Sequence, residues 1–352
     1  MKKNILVVDD SALMRRIMCD IINTVSDYQA TDYCRDGLEA YEKLKTKNYD
    51  GVVLDINMPR MNGLELLERL RKEHIQANVV VVSTINSADV TILAIERGAI
   101  DFIQKPTNVI EAKGEEFKSN LISVLNALFD SKAGRKPGRP SGKPRVTGGN
   151  VRERKKTTAG NKLVALACST GGPKALQRVI PYLPKNLDAP VVLVQHMPAG
   201  FTKSMADRLN ELSTVTVTEA VDREPVEKGH VYIAPGGRHM EVVRGTDGVH
   251  RISLNDMPPI GGLRPCANVM YESLAKAGYD EIVCVVLTGM GGDGTNGIRT
   301  LSKSRQVHVI AEDEAACVVY GMPRAVAEAG LVDEVVSLAD VAKTITKNVG
   351  VK

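Results

Sequence analysis

Apolar and polar positions along the first 130 residues alternate between two periods. Short runs rich in β-branched residues, Asn4–Asp9, Gln29–Cys34, Gly51–Ile56, Asn78–Ser83 and Asp101–Gln104, alternate with stretches of helical spacing, Ala12–Thr24, Gly37–Lys45, Gly63–Glu73 and Ala88–Arg97. The third and fourth runs are almost continuously apolar (Val52-Val53-Leu54 and Val79-Val80-Val81-Val82), as expected of parallel strands covered on both faces. Repeated βα alternation predicts a doubly wound parallel sheet. The pattern resumes at Lys162 with the apolar run Lys162–Ala167, a helical stretch Lys174–Tyr182, and further runs at Pro190–Val194 and Ile282–Leu287. A second α/β domain with a mainly parallel sheet is predicted there. The apolar runs are strand-length, short of the ~20 residues that cross a bilayer, so the chain is not expected to be membrane-embedded.

Charge divides the chain further. Residues 1–130 carry a net charge of −4 and residues 161–352 of −1, whereas residues 131–160 carry +9. That middle segment holds six Gly, three Pro and hardly any large apolar residue. It cannot bury enough surface to offset its ordering entropy, which predicts a flexible linker between two domains. The six cysteines, Cys19, Cys34, Cys168, Cys266, Cys284 and Cys317, lack paired spacing. Reduced thiols in a cytoplasmic protein are expected rather than a disulfide framework or a zinc site, and no apolar leader core fits the Lys-rich first residues.

In an open α/β sheet, ligands bind at the carboxyl ends of the strands. Here those ends carry Asp9-Asp10, Asp55, Ser83 and Lys105. Three acids gathered on one rim repel one another unless a cation joins them, and Mg²⁺ suits such a carboxylate set. Asp55 is then a carboxylate nucleophile toward a phosphoryl donor, with Lys105 and the Ser83 hydroxyl holding the new phosphate oxygens. The motifs Val7-Val8-Asp9-Asp10-Ser11, Asp55-Ile56-Asn57-Met58-Pro59, Ser83 and Lys105-Pro106 resemble those of response-regulator receiver domains. That resemblance implies a flavodoxin-like fold over about the first 125 residues and phosphorylation of Asp55 by a histidine kinase. It implies Mg²⁺ ligation by Asp10, Asp55 and the backbone carbonyl of Asn57, with Asp9 behind them. Phe102 takes the aromatic switch position by the same resemblance, and Lys105–Pro106 is expected to be cis.

In the second domain, Cys168-Ser169-Thr170-Gly171-Gly172-Pro173 joins an apolar run to a helical stretch. A serine on a sharp strand-to-helix turn projects its hydroxyl from the sheet edge, in the manner of a nucleophile elbow, although a serine before a helix is more often an N-cap. A nucleophilic serine requires a base. Of the six histidines, His196 alone ends an apolar run on the expected rim. Asp293 is the only acid in the glycine-dense segment Gly289–Gly294 and suits the orienting role of a triad. That segment also reads as a phosphate-cradling loop, though it lacks the Lys-Ser/Thr ending of a nucleotide loop.

Ser169-Thr170-Gly171-Gly172-Pro173, Gln195-His196-Met197-Pro198, Ala234-Pro235-Gly236-Gly237 and Leu287-Thr288-Gly289-Met290-Gly291-Gly292-Asp293-Gly294 resemble the CheB family of chemotaxis protein-glutamate methylesterases. The resemblance runs from about Lys162 onward. It implies a Ser169–His196–Asp293 triad, an oxyanion site at the Met290 N–H, and support of His196 by Thr170. It further implies a phosphorylation-regulated serine hydrolase that releases methanol from glutamate methyl esters on methyl-accepting chemoreceptors and deamidates receptor glutamines. A chemotaxis histidine kinase is the implied phosphodonor, and an unphosphorylated receiver is expected to hinder the esterase. No metal is expected in the esterase site. Cys168 is read as packing rather than as a second nucleophile. The segment Arg135-Lys136-Pro137-Gly138-Arg139-Pro140 resembles a single AT-hook core, but without a basic recognition helix elsewhere no nucleic-acid partner is expected.

Overall fold

In a computed structural model of the chain, residues 2–84, 88–133 and 160–351 are described, the side chains of 130–133 apart. The chain divides into two compact units, Met1–Phe129 and Asp130–Lys352. Most of the expected basic linker, the AT-hook-like segment included, lies outside the described residues.

The first unit has strands β1 (Lys3–Val8), β2 (Tyr28–Cys34), β3 (Gly51–Asp55), β4 (Val79–Ser83) and β5 (Asp101–Gln104). Between and after them lie helices α1 (Ala12–Asn23), α2 (Gly37–Thr46), α3 (Gly63–Lys72), α4 (Ala88–Glu96), α5 (Val109–Ala112) and α6 (Glu115–Ala133). The strands pair in parallel in the order β2-β1-β3-β4-β5. Side chains at the loop ends start the helices. Ser11 accepts from the Met14 N–H, Asp36 from the Leu38 and Glu39 N–H groups, and Asn62 forms a reciprocal capping box with Glu65, satisfying donors that a helix leaves unpaired. Val7, Val53, Val80 and Val82 pack with Met18, Ile22, Leu121 and Leu125 in the core. Strand order reverses beside β1 and β3, so a crevice opens where those strands end, at Asp9 and Asp55.

Lys105–Pro106 departs from expectation. Among the described residues the cis bond is Arg264–Pro265, and the Lys105 turn is reached in trans. Trans is intrinsically favoured for X–Pro by about 0.5–1 kcal/mol. The Lys105 N–H donates to the Ser83 carbonyl at 2.6 Å.

The second unit contains β6 (Lys162–Cys168), β7 (Val191–Gln195), β8 (Thr216–Glu219), β9 (His230–Ile233), β10 (His239–Arg244), β11 (His250–Asn255), β12 (Glu281–Val286), β13 (Gln306–Glu312) and β14 (Glu334–Val336). Its helices are α7 (Gly172–Val179), α8 (Phe201–Leu212), α9 (Ala267–Ala277), α10 (Thr295–Leu301), α11 (Met322–Glu328) and α12 (Val341–Val349). Seven strands form one parallel sheet in the order β14-β13-β12-β6-β7-β9-β8, while β10 and β11 make a separate antiparallel pair. The first strand, β6, occupies the centre. The chain builds outward through β7 on one side and returns through β12 on the other, which places the topological switch at the end of β6. Ala165, Ala167, Val192, Val194, Cys284 and Val286 point from this sheet into a core shared with Met270, Tyr271 and Leu274 of α9.

Candidate phosphorylation site and candidate active site

In the first unit, Lys105 reaches across the crevice. Its Nζ lies 2.6 Å from Asp55 Oδ2 and 2.8 Å from Asp9 Oδ2. Burial raises the pKa of both Asp9 and Asp55, and only partly do the contacts with Lys105 counter it. Burial would lower the Lys105 pKa, but hydrogen bonds to the two carboxylates outweigh it and raise the value. One cation therefore serves two buried acids, and the exposed Asp10 joins them with ligand oxygens within 4.8 Å of one another. A hard divalent cation fits this donor set, because it supplies the charge that a single ammonium does not. Asn57 follows Asp55 and directs its N–H to Asp55 Oδ1 at 3.4 Å. Ser83, buried at the end of β4, accepts from Thr91 Oγ1 at 2.7 Å. Phe102 is buried on β5.

In the second unit, strand register brings the expected nucleophile and base to adjoining positions. Cys168 and Gln195 are the last paired residues of β6 and β7, and the His196 N–H donates to the Cys168 carbonyl at 3.2 Å. Ser169 and His196 are thus the next residues out of two neighbouring parallel strands. The Gln195 side chain ties the two turns together: its Nε2 donates to the Ser169 carbonyl at 3.1 Å and to the His196 carbonyl at 3.2 Å. The amide oxygen accepts from Cys168 Sγ at 3.0 Å. A Cβ on Gly172 would overlap that amide oxygen, so the second glycine of the turn makes room for the tie.

Asp293 comes from the loop after β12. His196 Nε2 lies 2.8 Å from Asp293 Oδ2. The same oxygen accepts the Ala267 N–H at 2.6 Å, while Oδ1 accepts Asn268 N–H at 3.0 Å, Gly294 N–H at 2.9 Å and Cys266 Sγ at 3.2 Å. Asp293 therefore caps α9 from another part of the chain, in the field of the helix N-terminus. Burial would raise its pKa, but the hydrogen bond and charge of His196 and the backbone donors win and hold it at about 2. An ionised carboxylate only accepts, which assigns the proton to Nε2 and leaves Nδ1 as the basic nitrogen. Among the described residues Ser169 Oγ makes no hydrogen bond to that ring. Base–nucleophile bonds are commonly long in free enzymes and tighten with substrate.

The loop that follows β12 also meets Ser169. The Ser169 N–H donates to the Thr288 carbonyl at 3.0 Å. A Cβ on Gly289 would collide with Met322 Sδ and come within 2.9 Å of Ser169 Cβ, so only glycine lets the loop approach so closely. Gly289 O is held by the N–H groups of Gly321 at 3.0 Å and Met322 at 2.8 Å. Met290 comes next, 40% exposed. The Thr170 carbonyl accepts from Thr288 Oγ1 at 3.0 Å, and no hydrogen bond joins Thr170 to His196 among the described residues. Cys168 is fully buried and burial drives its pKa well above 9, so its thiol is no competitor for Ser169. His239 is fully buried and hydrogen-bonds the Pro258 carbonyl at 3.2 Å.

Sequence reasoning missed Gln195, Cys266 and Asn268. Gln195 had a local signal, a polar residue closing an apolar strand. Cys266 and Asn268 had none, because their partner lies some 26 residues away.

Comparisons with known proteins give the family of each unit. Residues 164–345 match the family described as CheB methylesterase, and residues 5–113 match the response regulator receiver domain. The chain is 41% identical to the protein-glutamate methylesterase/protein-glutamine glutaminase of Geobacillus kaustophilus, over 98% of each chain. It is 39% identical to the protein of the same name from Bacillus subtilis, over 97% of each. The crystal structure of the Thermotoga maritima CheB methylesterase catalytic domain aligns over 54% of this chain and 99% of its own, at 42% identity and a TM-score of 0.51.

Proposed function

The chain belongs to the CheB methylesterase family, and from that premise we propose that Ser169, His196 and Asp293 carry out its hydrolysis. Its activity is removal of methyl groups from glutamate methyl esters on chemoreceptors, with deamidation of receptor glutamines, under the control of a receiver domain. The observation that carries the site assignment is the buried His196–Asp293 pair at the sheet switch point, one strand from Ser169.

His196 Nδ1 takes the proton of Ser169 Oγ as the oxygen attacks the ester carbonyl. Asp293 stabilises the resulting imidazolium and fixes its tautomer. The Met290 N–H faces the developing oxyanion, a contribution of about 2.7–4 kcal/mol for such a donor. Thr170 lies in the same turn and ties it to the oxyanion loop through its carbonyl, which accepts from Thr288 Oγ1. Protonated His196 gives its proton to the leaving group, methanol from an ester or ammonia from an amide. Water then attacks the acyl-enzyme with His196 again as base, leaving a glutamate carboxylate on the receptor.

Residues 1–130 serve as the receiver and 161–352 as the catalytic domain, joined by the basic segment 131–160. Asp55 accepts the phosphoryl group from a chemotaxis histidine kinase. Asp10, Asp55 and the Asn57 carbonyl hold Mg²⁺, with Asp9 behind them, and the ion supplies charge neutralisation for phosphoryl transfer when bound. Lys105 and Ser83 then bind phosphate oxygens, and Phe102 responds to the shift of Ser83. No described helix is long and apolar enough to cross a membrane; action on the cytoplasmic helices of receptors makes the protein cytoplasmic. The decisive experiment is methanol release from methylated receptor membranes by wild type and Ser169→Ala, with and without a small phosphodonor. Undiminished release by Ser169→Ala refutes the triad, and release that ignores the phosphodonor refutes control through Asp55.

A further inference from the structure

Glu312 ends β13, beside the strand that delivers the active-site loop, and its side chain is fully buried. Its Oε2 accepts the Thr288 N–H at 2.8 Å, whereas Oε1 is buried without a hydrogen-bond partner among the described residues. Thr288 is a hub. Its carbonyl receives the Ser169 N–H at 3.0 Å. Its hydroxyl donates to the Thr170 carbonyl at 3.0 Å and accepts the Val319 N–H at 2.9 Å. Gly289 and Met290 follow directly. The carboxyl of Glu312 is thus one residue removed from both the nucleophile turn and the oxyanion loop.

The groups facing this carboxyl do not compensate a charge. They are the Cys168 thiol from β6, the Cys317 thiol and Asp313, all neutral or negative. No cation pairs with Glu312 among the described residues. A carboxylate here would have one N–H on one oxygen and, besides it, only the weak Cys317 thiol donor, whereas buried anions need pairing and full hydrogen bonding. A neutral acceptor is what this pocket accommodates.

We propose that Glu312, in its neutral form, is a positioning residue for the esterase: it holds the Thr288 N–H and through it the register of Ser169 against the Gly289–Met290 loop. This rests on the assignment of Ser169 as nucleophile. Burial, opposed mainly by the Thr288 N–H, moves the pKa of this acid up to about 7. The neutral form therefore prevails below neutrality and is lost above it.

The test uses the intact chain, a phosphodonor and methylated receptor membranes, with Ser169→Ala alongside. Glu312→Leu removes the acceptor and leaves the Thr288 donor buried, so kcat should fall about tenfold or more with KM within about twofold. Glu312→Gln keeps a neutral acceptor on the Thr288 N–H, so it should restore turnover. It should also lack the decline in kcat expected of the wild type as pH rises past 7. Should Glu312→Leu fail to fold, the comparison of wild-type and Gln pH profiles still decides. Wild-type kcat in folded Glu312→Leu, or superimposable pH profiles of wild type and Glu312→Gln, overturns the proposal while Ser169→Ala stays inactive. An active Ser169→Ala overturns instead the nucleophile assignment beneath it.

Discussion

Replacing Asp293 by Asn keeps the shape of the side chain and removes its charge. The carboxylate now receives Ala267 N–H and His196 Nε2 on one oxygen, and Asn268 N–H, Gly294 N–H and the Cys266 thiol on the other. An amide has one accepting oxygen. With that oxygen toward Asn268 and Gly294, the NH₂ group confronts the Ala267 N–H and turns His196 Nε2 into an acceptor. The ring proton then moves to Nδ1, the nitrogen required as base. With the amide reversed, two backbone donors at the start of α9 lose their acceptor. The first arrangement predicts a fall in kcat of about 10⁴, or roughly 5.5 kcal/mol, as for a triad held in the wrong tautomer. Both cost on the order of 1–3 kcal/mol of stability for an unpaired buried donor. The ionisation adds a pH signature. A carboxyl held at about 2 when folded, against 3.8 in the free side chain, stabilises the fold by about 2 kcal/mol above pH 4 and loses that contribution as pH falls through 2. Methanol release and chemical denaturation from pH 2 to pH 7 read both effects. Turnover by Asp293→Asn within tenfold of wild type, in a folded protein, refutes the tautomer argument.

Three further outcomes are expected. Gly289→Ala should keep the fold and lose most turnover, because the new methyl meets Ser169 Cβ at 2.9 Å as well as Met322; the packing penalty is about 1–3 kcal/mol, and wild-type kcat would contradict the close approach. Glu312 titrates near 7 when folded and 4.5 when free, so protonation favours the fold by roughly 3 kcal/mol below pH 4.5. That advantage fades as pH rises to 7; denaturation curves of wild type and Glu312→Gln should diverge across this window, and parallel curves count against it. Mg²⁺ should raise the melting temperature of the first unit within the intact chain, by the equivalent of about 2.7 kcal/mol at a hundredfold excess over Kd. Chelation or Asp10→Ala should abolish the shift, and a shift that survives Asp10→Ala places the ion elsewhere.

Much of this was legible in the chain because parallel α/β sheets concentrate chemistry at strand ends. Val52-Val53-Leu54 running into Asp55, and Ile282–Leu287 running into a glycine loop, announce both strand and site. Element bounds moved by a residue or two where caps decide them: Thr24 closes α1 through its hydroxyl on the Ile21 carbonyl, and Gly172–Pro173 opens α7 before Lys174. What stayed hidden is long-range. Glu312 and Thr288 are 24 positions apart, and nothing near Glu312 advertises that its carboxyl faces a backbone donor in the active-site loop. The Cys266–Asn268 turn is likewise defined by a carboxylate from the loop after a later strand. The isomer of Lys105–Pro106 was not legible, because an X–Pro dipeptide by itself is compatible with either form.

The pairing of Cys168 with Gln195 has a bearing on how this enzyme tolerates change. Reach between hydroxyl and imidazole is dictated by a main-chain ladder, not by the 27-residue excursion that separates the paired residues along the polypeptide. Insertions between the exposed Lys185 and Asn186 should leave chemistry intact. A single-residue deletion inside Val191–Gln195, every residue of which is buried, would swing the imidazole to the opposite side of the pleat and turn the strand's core side chains with it, at the expense of the fold as well as of turnover.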